Sequence, residues 1–96
     1  MVKHIILWTL KSELSIVKAG IKEGLESLVG VVPGLLEVNV QVDGRLLSSN
    51  ADVMLDCTLE SEEALKAYSV HPAHVAVADS KVRPFTSVRS CFDYIL

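Results

Sequence analysis

Three features of the sequence predict an α+β fold made as one domain. Four segments carry strand-like apolar patterns and two carry apolar residues at helical spacing. Pro and Gly punctuate these segments, which follow the order β-α-β-β-α-β. The chain has 96 residues, room for one core and not two. Half of it is hydrophobic yet only 5% is aromatic, so Val, Leu, Ile and Ala must fill that core.

Residues 2–10 (VKHIILWTL) form the first expected strand. Val2, His4, Ile6, Trp8 and Leu10 share one face; Lys3, Ile5, Leu7 and Thr9 share the other. Both faces are apolar at their middle, so both should be covered. Residues 13–30 read as a helix, with Leu14, Val17, Ile21, Leu25 and Leu28 on one face among Lys18, Lys22, Glu23 and Glu26. Ser12 or Ser15 is the expected N-cap. Gly20 and Gly24 lie inside this helix one turn apart, each costing about 1 kcal/mol against Ala. They mark either a close approach of helix to sheet or volume left for a ligand. Pro33-Gly34 ends the unit.

Residues 35–43 alternate Leu36, Val38, Val40 and Val42 against Glu37, Asn39 and Gln41, the pattern of a one-sided strand near an edge. A polar loop through Gly44 and Ser48-Ser49-Asn50 leads to a third strand, 51–59. There Val53, Leu55, Cys57 and Leu59 face one way and Asp52, Met54, Asp56 and Thr58 the other. Ser61 caps a second helix that runs to about Val70, with Glu62 and Glu63 where the helix dipole favours them. His71-Pro72 interrupts it, and Pro72 suits the first turn of a short helix over 73–81. Pro84 precedes the last strand, 86–96, where Val88, Phe92, Tyr94 and Leu96 alternate with Arg89, Cys91 and Asp93. This order most simply gives a ferredoxin-like β-α-β-β-α-β sandwich: a four-stranded antiparallel sheet, helices on one face, first and third strands central.

Helices can cover only one face of that sheet. Ile5, Leu7 and Met54 then lie on the open face, mixed with Lys3, Asp52 and Asp56. A half-apolar open face on so small a domain predicts a second copy packed sheet to sheet, a homodimer with two-fold symmetry. Cys57 and Cys91 would stand two strand spacings apart, roughly 10 Å, too far for a disulfide. Both are expected to be reduced and buried.

A net charge of −3 and a pI near 5.5 lack the basic excess a nucleic-acid partner requires. No apolar run reaches the roughly 18–20 residues of a membrane span. Ile5-Ile6-Leu7-Trp8 after Lys3 is too short for a secretion signal, and Lys11 and Glu13 stand where small cleavage-site residues belong. The expectation is a cytoplasmic protein. No P-loop, G-x-G-x-x-G or nucleophile elbow is present, and no cofactor is expected. His71-x-x-His74 with His4 lacks an obvious fourth ligand, so no metal is expected either.

His74 is the leading candidate for chemistry, because an imidazole of pKa about 6.5 exchanges protons near neutral pH. Tyr68 lies six residues earlier, across the Pro72 break. Together they suit polarising a carbonyl and removing an α-proton. The competing reading makes His74 a cap on backbone carbonyls and Tyr68 core. His4, on a face with Ile6 and Trp8, reads either as a hydrogen-bonded core histidine or as a pocket residue. Trp8 reads as core or as the wall of an apolar pocket. Arg83 and Arg89 read as solvated surface cations or as partners of a substrate carboxylate. Asp52, Asp56 and Asp93 read as a rim charge pattern. His71 reads as a helix-break residue.

Three segments carry a family resemblance: the opening Val2-Lys3-His4-Ile5-Ile6-Leu7, the run Tyr68-Ser69-Val70-His71-Pro72-Ala73-His74-Val75, and the closing Phe92-Asp93-Tyr94. Over nearly its whole length the chain resembles the stress-responsive dimeric A/B barrel (Dabb) domain. The resemblance implies a ferredoxin-like protomer and a dimeric α+β barrel made by two facing sheets. The family includes plant stress-associated proteins and a plant polyketide cyclase in which a histidine and a tyrosine do acid–base work. Tyr68 and His74 match those two positions, and His4 matches a second pocket histidine. A third pocket histidine of the cyclase falls at Val53, which removes a polar group from the implied ligand site. The expected ligand-binding set is therefore His4, Trp8 and Val53, around Tyr68 and His74 as catalytic groups.

The expected function is binding of a small hydrophobic or aromatic molecule in a pocket between sheet and helices. Two alternatives stand beside it. One is a non-catalytic dimeric stress protein. The other is a cofactor-independent monooxygenase, a chemistry that similar dimeric barrels host.

Overall fold

The strand 2–10 forms as its pattern requires. In the computed structural model, which describes residues 1–96, β1 (Val2–Leu10) pairs antiparallel with β3 (Val53–Leu59) on one side and β4 (Thr86–Ile95) on the other. β2 (Leu35–Gln41) pairs with the far side of β3, giving the sheet order β2-β3-β1-β4. Three helices cross one face: α1 (Ser15–Glu26), α2 (Glu62–Val70) and α3 (Pro72–Val77). A π-helical turn, Ala78–Val82, and a 3-10 turn, Arg83–Phe85, carry α3 on to β4. This is the ferredoxin-like α+β arrangement, with β1 and β3 central.

The register decides which residues meet the helices. Across the sheet His4 stands opposite Cys57 and Asp93, Ile6 opposite Leu55 and Cys91, and Trp8 opposite Val53 and Arg89. These positions face the helices, where Ile21, Leu25 and Tyr68 close the core. Lys3, Ile5 and Leu7 face the other way, beside Tyr94, Phe92 and Ser90 of β4 and Thr58, Asp56 and Met54 of β3. No helix covers that face. Leu7, Phe92 and Tyr94 are exposed on it, and Lys3 pairs with Asp56 at 2.9 Å.

Several expectations are corrected. α1 is shorter than 13–30, and its N-cap is Leu14, which makes no side-chain cap. Ser15 is already helical, while Ser12 Oγ accepts the Leu14 N–H at 3.3 Å. β2 opens on an irregularity between Leu35 and Glu37. Leu35 is therefore buried and Leu36 exposed, reversing the simple alternation. The short helix expected over 73–81 is α3 plus the π-helical turn. Cys91 is exposed, although both cysteines are free thiols as expected.

Gly24 marks a close approach, but to α3 rather than to the sheet. A Cβ there would sit 3.0 Å from Val77 Cγ1. Gly20 is looser, with Lys81 Cδ at 3.7 Å. Gly34 is required twice over. Its φ is +82°, and a Cβ would lie 2.7 Å from that of Ala64 at the start of α2.

The free edge of β2 is held by α1. Glu26 Oε2 accepts the Val40 N–H at 3.0 Å, and Lys22 Nζ donates to the Val40 carbonyl at 2.7 Å. One edge residue thus has both backbone groups satisfied by side chains, which blunts that edge against pairing.

Candidate functional site

The Pro72 break brings the two leading candidates together. Ser61 Oγ caps α2 on the Ala64 N–H at 3.1 Å, and His71 Nδ1 caps α3 on the Ala73 N–H at 3.1 Å. The turn between these helices folds Tyr68 and His74 onto each other, with ring centroids 4.3 Å apart. The His4 ring meets the Tyr68 ring edge-on at 6.1 Å. His4, Tyr68 and His74 therefore form one cluster on the helix side of β1. His71 stays out of it, because its ring nitrogen is engaged in the cap.

His74 is half-buried, and its Nδ1 lies 3.3 Å from the Ser69 carbonyl. A carbonyl only accepts, so Nδ1 carries the proton and Nε2 is the basic nitrogen. Burial lowers the His74 pKa; the Ser69 contact opposes this, and the charges of Arg83, His4 and Arg89 reinforce it. The ring is neutral at pH 7. The capping reading and the functional one thus both describe His74: one nitrogen anchors, the other is free.

Tyr68 is buried, and its hydroxyl is the one buried side-chain polar atom without a hydrogen-bond partner. Burial pushes its pKa well above the ordinary tyrosine value, so it remains a protonated donor. The Cys57 thiol lies beside it, off the geometry of a hydrogen bond, and burial pushes that thiol up to about 12. Cys57 is inert as a nucleophile at that value.

His4 is buried and its Nδ1 sits 2.5 Å from Asp93 Oδ1. Cys91 Sγ lies 3.8 Å from each of these atoms. This trio is the one set of donors spaced for a metal. Tetrahedral zinc would hold its nitrogen and oxygen ligands roughly 3.3 Å apart, so the His4–Asp93 pair would have to open. As it stands, the pair is a hydrogen-bonded dyad that fixes the His4 ring.

A cavity of about 260 Å³ opens next to His74. Ile6, Trp8, Leu25 and Leu55 line its apolar side, and Ala78 and Val82 of the π-helical turn line the side facing them. Arg83, Thr86, Ser87 and Arg89 supply its other polar groups. Trp8 lies in the lining as expected. Tyr68 and His4 adjoin through His74 without lining it. Val53 is buried opposite Trp8, in the core and outside the lining. Asp93 as the partner of His4, and Thr86 and Ser87 as cavity groups, were not singled out in the sequence. For Asp93 the one signal is parity along β4: Arg89, Cys91 and Asp93 alternate with the open-face residues, and so face the helices; Thr86 and Ser87 enter the lining at the β1–β4 register shift, which parity does not show.

The family model described as the stress responsive A/B barrel domain matches residues 2–96. No curated protein matches the chain in sequence. Among solved structures, the chain is similar to a dimeric ferredoxin-like protein of unknown function from Bacteroides fragilis, at 24% identity and a TM-score of 0.87, covering 99% of this chain and 95% of that one. It is similar to the hydroxynitrile lyase of Passiflora edulis at 19% identity and a TM-score of 0.82, covering 99% and 92% of the two chains. SnoaB, a cofactor-independent oxygenase from Streptomyces nogalater, gives 9% identity and a TM-score of 0.76, covering 99% and 91%. At these identities the likeness shows the fold alone.

Proposed function

The chain belongs to the stress-responsive A/B barrel family, and from that premise we propose that each protomer of a homodimer binds one small hydrophobic or aromatic molecule beside His74. The observation that carries this reading is a neutral histidine, its tautomer fixed by Ser69, facing a mainly apolar cavity. At about 260 Å³ the cavity exceeds the roughly 150 Å³ that suffices for benzene. His74 Nε2 is the base that takes a proton adjacent to a carbonyl. Tyr68 lies behind the cavity wall with its ring stacked on that of His74 at 4.3 Å, and so holds the base in place. Asp93 holds His4, and His4 packs on the Tyr68 ring, so the dyad positions Tyr68 and through it His74 rather than reacting. The two free cysteines suit a cytoplasmic setting.

Thermal melting with a panel of small aromatic and β-keto acids tests the reading, on wild type and His74→Ala. A ligand at 100 times its Kd adds about 2.7 kcal/mol of stability. The expected result is a wild-type shift that weakens in the variant. No shift in either protein would overturn the reading and leave a packed, non-catalytic dimer.

A further inference from the structure

The cavity beside His74 carries a charge pattern that an apolar ligand alone does not explain. Arg89 stands on β4 directly across from Trp8, so its guanidinium shares the helix-facing side with the indole. It lines the cavity and takes part in none of the chain's ion pairs. Arg83 lines the same cavity and is answered by Asp79 one helical turn earlier. No Asp or Glu lines the cavity. One net positive charge therefore faces a pocket whose sheet wall also carries Ile6, Trp8 and Leu55. Thr86 and Ser87 also line the cavity, with their hydroxyls bonded to the Val82 carbonyl and to Thr9 Oγ1.

We infer that the natural ligand is a monoanion, a small aromatic or short-chain carboxylate, whose carboxylate pairs with Arg89 while its apolar body lies against Trp8. This rests on the binding site proposed above and names its ligand class. A planar guanidinium matches a carboxylate with two parallel hydrogen bonds. The single uncompensated charge sets the ligand at −1. A phosphate monoester, near −2, would exceed it. The geometry also orients the ligand: with the carboxylate at Arg89, the part of the body nearest His74 is the part open to proton transfer.

The test uses matched probes of one shape and different charge: benzoate, benzamide and phenyl phosphate, titrated by calorimetry into wild type, Arg89→Gln and Arg83→Gln. Arg89 is exposed, and unliganded melting curves check that each variant folds. Wild type should bind benzoate at least tenfold more tightly than benzamide. Arg89→Gln should erase that preference, while Arg83→Gln, whose charge Asp79 already offsets, should reduce it less. Added salt should weaken benzoate alone. Equal binding of benzoate and benzamide by wild type, or a preference that survives in Arg89→Gln, would overturn the inference and leave the apolar-ligand reading standing. Tighter binding of phenyl phosphate than of benzoate would overturn the monoanion assignment. Binding of none of the three would overturn both readings.

Discussion

Tyr68 separates a core residue from a working one. Its hydroxyl is buried and makes no hydrogen bond. Removing such a group relieves an unmet desolvation penalty of about 1–3 kcal/mol instead of breaking a contact. Tyr68→Phe should therefore melt at or above the wild-type temperature and, keeping the ring that stacks on His74, bind the aromatic acid as wild type does. Melting curves with and without ligand read both quantities. Weaker binding by the variant would show that the hydroxyl reaches the ligand. His74 gives the matching pH signature. Its folded pKa is lowered from 6.5, so the unfolded chain binds the proton more readily than the folded one. Stability is full above about 6.5 and falls as pH drops through that value toward the lowered folded one. The slope cannot exceed about 1.4 kcal/mol per pH unit for one proton. His74→Gln should flatten the stability profile between pH 7 and 5, measured by urea unfolding. An unchanged slope would show that His74 does not carry it, since Asp52, held low by Arg45 and the Leu10 N–H, contributes only at more acid pH.

At the scale of elements, α1 carries two glycines that the structure tells apart. Gly20 has room for a methyl group at ordinary contact distance, and Gly24 does not. Gly20→Ala should stabilise by about 0.5–1 kcal/mol, raising Tm by roughly 4–8 °C per kcal/mol. Gly24→Ala should gain less or lose stability, because Val77 on α3 must shift. Equal gains in the two melting curves would refute the close packing of α1 on α3. In sequence the two positions look alike, since their difference is set by α3, some 50 residues away. The same limit explains the other departures. β1, β3 and α2 were legible because their patterns and the Ser61 cap are local. Leu36 was misplaced because the irregularity at the start of β2 depends on the Leu35–Leu59 pairing. The Ser12 and Ser15 caps failed for a different reason: the helix starts at Ser15 itself, which converts the expected cap into its first residue. For the site, Tyr68, His74 and Trp8 could be read from residue type and strand parity. Arg89 was visible as a candidate, but its place across from Trp8 required the β1–β4 register, which no local pattern encodes.

At the scale of the whole molecule, one sheet serves two purposes on its two faces. The helix side encloses the cavity. The open side presents Leu7, Val88, Phe92 and Tyr94, all exposed in the protomer. A stable dimer needs roughly 800 Å² per partner, a modest share of a protomer surface of 5708 Å². Apolar residues on β1 and β4, with Met54 on β3, can supply it. Phe92 is 67% exposed, across from Ile5 and with its ring centroid 5.9 Å from that of Tyr94. Phe92→Asp therefore leaves the protomer core untouched and buries a charge if two sheets meet. Light scattering should give wild type twice the 10.5 kDa chain mass, and Phe92→Asp the single-chain mass or a concentration-dependent mixture. The melting temperature of wild type should rise with protein concentration, as dimer linkage requires. Because the cavity lies across the sheet from Phe92, a folded Phe92→Asp monomer should still bind benzoate. Loss of binding together with dimerisation would show that the partner sheet supports the cavity through β1 and β4, and a wild type of single-chain mass would show that the open face serves something other than a second copy.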